Sequence, residues 1–158
     1  MNRSQSIKVN LDGLRDLKKQ LNTNYYVKVG ILADGKAAES HGEIDNATLG
    51  VVHELGSIKR RIRARSWLRM PLESRKGELI KFLRSDRVKA LIGEGKIKEV
   101  FKLLGLKAEA IIDSAFRSGG FGQWADLKES TIKEKGSAAI LIDTSQLRRS
   151  VTSEVVKK

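Results

Sequence analysis

The chain has 158 residues, of which 40% are hydrophobic and 32% are charged, a composition typical of a soluble globular protein. This length favours a single domain spanning residues 1–158 with flexible termini. The absence of cysteine excludes disulfides, thiolate zinc sites and cysteine nucleophiles, and no apolar run approaches the roughly 20 residues that cross a bilayer. The formal net charge of +12 predicts attraction to an acidic partner, such as nucleic acid, an anionic membrane or an acidic protein surface.

Strand and helix patterns alternate in the first part of the chain. Residues 6–9 alternate weakly, as a short strand would, and Asn10 precedes leucines at every third or fourth position, which predict a helix with one buried stripe. Residues 25–32 (YYVKVGIL) are mostly β-branched or aromatic and predict a strand. Residues 33–46 are polar, contain two glycines and show no period, so they predict a loop.

Helical patterns dominate the middle of the chain. Asn46 is suited to cap a short helix that ends at Gly56. Residues 66–70 are expected to be extended, because the residue before a proline avoids the helical region, and Pro71 suits the first position of the next helix, which would continue through Leu72, Leu79, Phe82 and Leu83. A longer helix over about 95–117 is predicted by a stripe of apolar residues, Ile97, Phe101, Leu104, Ala108, Ile111 and Ala115.

Short elements follow the glycines at 119, 120 and 122, which should stop the long helix. Residues 130–133 and 146–148 resemble helical turns, with residues 143–145 able to cap the second, and residues 150–156 alternate as in a closing strand. The order is strand, helix, strand, several helices, strand. It predicts an α+β fold with a small antiparallel sheet, several helices packed on one face and extended loops.

Tests for catalytic motifs give no candidate. His53 and Glu54 match the start of the zinc-protease helix signature, but Ser57 occupies the position of its second histidine, and the other histidine, His41, lies in the predicted loop. No serine lies in a G-x-S-x-G turn, and the glycines near 120 lack the following Lys-Ser or Lys-Thr of a phosphate loop. We therefore expect no enzymatic activity, no metal and no cofactor.

A basic segment carries more information, because six cations fall between Ser57 and Met70 with no acid among them: Lys59, Arg60, Arg61, Arg63, Arg65 and Arg69. This density is compatible with a solvated loop, with phosphate contacts, or with a contact to acidic residues of another subunit. Few aromatic residues are available to stack on bases, which disfavours sequence reading of single strands.

Several short motifs resemble, in order, those of the phage virion morphogenesis and tail-completion proteins. Residues 29–32 (VGIL), 51–56 (VVHELG) and 62–71 (IRARSWLRMP) resemble that family's V-G-I-L strand, H-E-F-G turn and P-A-R-S/P-F-L-R-P segment. Residues 127–135 and 141–148 (LIDTSQLR) resemble its C-terminal part. Leu55 and Trp67 stand where that family has Phe, Arg63 where Pro is common, and Ser145 where it has Gly.

The resemblance implies an α+β subunit of a tail or neck ring, hexameric in that family, which acts by assembly in a virion made in the bacterial host cytoplasm. It implies contacts with connector, tail terminator or tail-tube proteins, and possible contact with packaged DNA, but none with membrane. We expect the partner or subunit interface to comprise His53, Glu54, Lys59, Arg60, Arg61, Arg63, Arg65, Trp67 and Arg69. Trp67, Leu68 and Pro71 would anchor the segment while its arginines project outward.

The alternative is a basic nucleic-acid-binding module without sequence reading, which would use Arg60, Arg61, Arg63 and Arg65. The charge supports this alternative, whereas no known binding motif does.

Overall fold

The computed structural model describes residues 12–22, 24–32, 40–41, 44–59, 61–127, 129, 132–133 and 146–158. The predicted strand at 6–9, the predicted cap at 143–145, residues 130–131 of the predicted turn at 130–133 and Arg60 lie outside these residues.

The fold is α+β, as predicted. The elements in chain order are α1 (Asp12–Leu21), β1 (Tyr25–Ile31), β2 (Ser40–His41), β3 (Ile44–Asp45), α2 (Asn46–Leu55), α3 (Arg69–Ser74), α4 (Lys76–Leu83), α5 (Asp86–Gly93), α6 (Ile97–Arg117), α7 (Gln146–Arg149) and β4 (Val151–Lys157). Strands β1 and β4 form a two-stranded antiparallel sheet, and β2 and β3 form a second, smaller pair. Helix α6 packs on the β1–β4 sheet, and α3, α4 and α5 pack against α6.

The β1–β4 sheet confirms the strands predicted at 25–32 and 150–156. Their register runs from Tyr25 opposite Lys157 to Ile31 opposite Val151. The alternating residues of β1 are partly buried on one side, as a half-buried strand requires. Strand β4 is therefore paired along its whole length.

Helix α6 confirms the predicted long helix, and its apolar stripe faces the sheet. Phe101 packs on Tyr25 with ring centroids 5.8 Å apart. Gly105 allows α6 to lie close to the sheet, because a side chain there would collide with Ser153 of β4 and make a tight contact with Val27 of β1. The stripe continues into the central core, where Trp67, Ile112, Phe116, Trp124 and Leu147 cluster.

The segment before α2 differs from the prediction in two ways. Residues 40–41 and 44–45, which were expected to lie in a loop, pair as β2 and β3. The capping residue of α2 is Asp45 and not Asn46, since the Thr48 N–H donates to the Asp45 carboxylate at 2.6 Å. This hydrogen bond lowers the pKa of the Asp45 carboxyl below its ordinary value. Asn46 becomes the first, buried residue of the helix.

The helix around Pro71 begins earlier and ends sooner than predicted. Helix α3 begins at Arg69, so Met70 is helical and Pro71 is the third residue. Proline is tolerated there because the first four N–H groups of a helix have no partner within it. The helix is then interrupted at Arg75, and α4 begins at Lys76.

The helix predicted after Asn10 is confirmed as α1. However, Leu14 is 58% exposed and does not belong to a buried stripe.

Candidate interaction site

After the end of α2, the chain up to Pro71 has two parts with different surroundings. The described residues 56–59 and 61–63 belong to a turn that projects from the end of α2, and we call it the basic hairpin. Residues 65–71 lead into α3 along the core, and we call them the anchor segment.

Glu54 holds the anchor segment from α2. Its carboxylate accepts hydrogen bonds from the Ser66 hydroxyl at 2.6 Å and from the backbone N–H groups of Trp67 at 2.8 Å, Leu68 at 2.9 Å and Arg69 at 3.2 Å. These N–H groups lie at the start of α3, where no helical partner is available. Glu54 is thus a capping carboxylate supplied from a distant part of the chain, and a negative charge at this end also complements the helix dipole.

Trp67 fixes the anchor segment in the core. The side chain is 3% exposed, its Nε1–H donates to the Gly50 carbonyl at 2.8 Å, and its ring lies 6.0 Å from that of Phe116. A Cβ at Gly50 would lie 2.8 Å from Ile31 Cδ1 and 3.1 Å from the Trp67 ring, so a side chain there would require both neighbours to shift. Tryptophan is accommodated because its polar N–H finds an acceptor while the ring is buried.

Arg65 ties the anchor segment to the loop after α6. The residue is 8% exposed, and its guanidinium donates to the Ala125 carbonyl at 3.0 and 3.2 Å and to the Asp126 carbonyl at 3.4 Å. Its backbone N–H donates to the His53 carbonyl at 2.7 Å. Burial, and secondarily the like charge of Arg63, lowers the pKa of the Arg65 guanidinium. The charge of Arg65 is therefore solvated by backbone carbonyls.

The glycine-rich loop after α6 completes this arrangement. Trp124 is 7% exposed and its Nε1–H donates to the Ser66 carbonyl at 3.1 Å. Gly120 has a φ of +68° and lies directly under the Trp124 ring, so that a Cβ would collide with it. Gly122 also has a positive φ, +77°, but faces open space. The loop thus stops α6, as predicted, and also covers the anchor segment.

The basic hairpin has the opposite character. Ser57 and Ile62 exchange two backbone hydrogen bonds of 2.9 Å, which close the turn, and Arg61 lies within it at a φ of +53°. A side chain at Gly56 would lie 2.8 Å from the Ala64 backbone nitrogen, so the hairpin folds tightly back on its own base. Ile58 is 99% exposed, and Lys59 is exposed beside it.

The structure separates the predicted interface residues into two groups. Lys59, Arg61, Arg63 and Arg69 are exposed. Three others are engaged within the fold, namely Glu54, Arg65 and Trp67. The expectation that the arginines of the segment all project outward is therefore wrong at Arg65, because its guanidinium donates hydrogen bonds to the backbone carbonyls of residues 125 and 126. The expectation that Trp67 and Pro71 anchor the segment agrees with their burial. His53 is partly buried, and Arg60 lies outside the described residues.

The sequence analysis did not predict an exposed apolar stripe formed by Val51, Leu55 and Ile58. Val51 and Leu55 lie one helical turn apart on α2 and are 57% and 71% exposed, and Ile58 follows them in the hairpin. Val51 and Leu55 border a cavity of about 280 Å³ whose walls include Ile31, Trp67 and Leu68. The spacing of the two α2 residues was a detectable signal, but sequence alone could not show which face of α2 is covered.

Neither a metal site, nor a membrane-spanning helix, nor a related protein is found for the described part of this chain. In the described part of the chain, no three His, Asp or Glu side chains are placed to hold a metal ion, and no helix is long and apolar enough to span a membrane. Comparison with family models, curated proteins and solved structures finds no match to this chain.

Proposed function

We propose that this chain is a structural subunit of a phage or prophage virion, a tail-completion or head–tail neck protein that acts by assembling into a ring. In this proposal it acts through contacts and not catalysis. Its partners are copies of itself together with connector, tail terminator or tail-tube proteins.

The observation that supports the proposal most is the spatial convergence of the motifs that carry the family resemblance. Gly30 of the first motif lies against Leu68 of the third, with 3.7 Å between a Cβ built at Gly30 and Leu68 Cδ2. Glu54 of the second motif binds the backbone of Trp67 in the third. Leu147, from the C-terminal motif, packs in the same core as Trp67. Residues that match the family only in order along the sequence thus form one structural unit, which presents the basic hairpin at the surface.

A second candidate function is DNA binding without sequence reading. The observation that favours it is the exposure of Lys59, Arg61 and Arg63 on one short hairpin. Non-specific DNA binding rests on such cations, which release condensed counterions from the phosphates, and it weakens as the salt concentration rises. In a neck ring, the same cations could contact packaged DNA.

The decisive experiment for the virion proposal reverses the charge of the hairpin in the phage or prophage that encodes the chain. The triple variant Arg60→Glu, Arg61→Glu, Arg63→Glu should fold but give no complete particles, because an acidic hairpin would repel an acidic partner. The matched control is Lys76→Glu, Lys81→Glu, Lys98→Glu, which reverses three exposed cations on α4 and α6. Particle counts by electron microscopy provide the measurement, and a normal yield from the hairpin variant would refute the proposal.

A salt titration with duplex DNA distinguishes the second candidate. If the hairpin binds DNA through three cations, the logarithm of the binding constant should fall with the logarithm of salt concentration with a slope of roughly −3. The hairpin variant should lose this binding and the control variant should keep it. Absence of measurable binding at low salt would eliminate the DNA-binding alternative.

A further inference from the structure

The exposed apolar stripe leads into a cavity that is open to solvent and lined almost wholly by apolar groups. Gly50, which has no side chain, lines it together with Ile31, Trp67 and Leu68. A cavity of about 150 Å³ in a protein core is known to accept benzene. The volume of about 280 Å³ therefore accommodates one large apolar side chain, such as Leu or Phe.

Glu54, the charged side chain among the described residues that line this cavity, does not make it polar. The Glu54 carboxylate is directed at the anchor segment, where its two oxygens accept four hydrogen bonds. Because both oxygens are already solvated by protein donors, the carboxylate needs no polar group from a ligand. A neutral apolar side chain is therefore the chemical class that fits.

Cations border the open end of the stripe. The basic hairpin begins directly after Leu55, the last residue of α2, and exposes Lys59, Arg61 and Arg63. Among the described residues, Lys59, Arg61 and Arg63 form no ion pair with an acidic side chain. The hairpin therefore presents positive charge to whatever covers the stripe.

Charge complementarity selects among the possible occupants. A DNA backbone would use the cations but leave Val51, Leu55 and Ile58 in water. The equivalent face of a second copy would set its own Lys59, Arg61 and Arg63 against these cations and be repelled, which leaves the contacts between copies in the ring to other surfaces. An amphipathic acidic segment of a different protein satisfies both features, because its apolar residues would enter the cavity while its carboxylates meet the cations.

We propose that the cavity and the basic hairpin together bind an acidic amphipathic segment of another virion protein, with an apolar side chain inserted between α2 and the anchor segment. This inference rests on the proposed function for the identity of the partner as a virion component. The site itself rests on the geometry of α2, Trp67 and the hairpin.

The test uses a fluorescein-labelled synthetic peptide about four helical turns long, roughly 15 residues, with Leu or Phe at every third or fourth position and Glu elsewhere. Two control peptides replace either every Leu and Phe by Ser or every Glu by Gln. Binding to the full-length purified chain is measured by fluorescence anisotropy. Each control peptide should lose about tenfold or more in affinity, because one lacks the buried apolar group and the other lacks the carboxylates.

Variants of the protein test the same two features. Val51→Ser, Leu55→Ser alters only side chains that are more than half exposed, and it should weaken the first peptide about tenfold while the chain remains folded by circular dichroism. Leu83→Ser, Leu106→Ser is the matched control, since these residues are 42% and 57% exposed elsewhere. Equal binding of the Ser peptide, displacement of the peptide by duplex DNA but not by the unlabelled peptide, or no binding at millimolar protein would overturn the inference.

Particle assembly separates this inference from the proposed function. If the peptide fails to bind while charge reversal of the hairpin still blocks particles, the virion role stands and the chemistry of the occupant is wrong. If the peptide binds as described while neither Val51→Ser, Leu55→Ser nor charge reversal changes particle yield, the binding site stands and the virion role fails.

Discussion

Arg63 and Arg65 are two residues apart, yet they belong to regions with opposite roles. Arg63 is exposed in the basic hairpin, whereas Arg65 is 8% exposed and bound to the carbonyls at 125–126. The anchor segment is held by side-chain contacts from α2, α6 and the glycine-rich loop, while the hairpin is closed by its own backbone hydrogen bonds. The contrast shows that one basic stretch divides into a part engaged within the fold and an exposed part.

The largest expected effect follows from removing the carboxylate that caps the anchor segment. Glu54→Ala should lower the free energy of unfolding by about 2 to 4 kcal/mol, because it removes a helix cap and leaves partly buried backbone donors unsatisfied. Urea denaturation followed by tryptophan fluorescence measures the change, since Trp67 and Trp124 both lie in this core.

Glu73→Ala is the matched control for Glu54→Ala. Glu73 lies in α3 itself but is exposed, so its removal should change stability by less than about 0.5 kcal/mol. Equal unfolding midpoints for the two variants would mean that Glu54 does not hold the anchor segment. The stability of Glu54→Gln should lie between those of the two alanine variants. The amide keeps one acceptor oxygen, but its NH2 group replaces the second acceptor and faces N–H donors of the anchor segment.

Part of this arrangement could be predicted from the sequence, and the parts that could be predicted share a local origin. The period of two in residues 25–31 and the three-and-four spacing in α6 depend on neighbours along the chain, and both elements were predicted correctly. The end of α2 at Gly56 was also predicted, since a positive φ there needs no distant partner to explain it.

The features that were not predicted depend on partners distant in the sequence, or on a choice between adjacent residues with similar capping ability. The acceptors of Arg65 are backbone carbonyls, which any residues at 125 and 126 would supply, so no sequence signal distinguishes Arg65 from Arg63. Glu54 looked like a contact residue because its targets are backbone N–H groups, which carry no sequence signal either. At the start of α2, adjacent Asp45 and Asn46 are both good capping residues, and only the observed geometry selects the first.

A smaller effect is expected at the loop that covers the anchor segment. Gly120→Ala and Gly122→Ala both place a side chain at positive φ, but only the first drives it into the Trp124 ring. Gly120→Ala should therefore be less stable than Gly122→Ala by about 1 to 3 kcal/mol, the usual cost of overpacking a well-filled site. Thermal unfolding of the two variants side by side measures this difference. If they melt together, Trp124 does not close on the anchor segment as described.

The smallest expected effect is also the most direct test of the contrast between the two arginines. Arg65→Gln should lower stability by about 1 to 2 kcal/mol, because it removes charge-assisted hydrogen bonds to the carbonyls at 125–126, whereas Arg63→Gln should change it by less than about 0.5 kcal/mol. The difference should persist in high salt, since neutral carbonyls and not carboxylates are the acceptors. Peptide affinity and particle yield should rank the two variants in the opposite order. When both are assayed at a temperature low enough for each to be fully folded, Arg63→Gln should cause the larger loss. Two variants with the same stability and the same assembly would show that the stretch from Lys59 to Arg69 is one uniform basic surface, and would remove the reason to divide it.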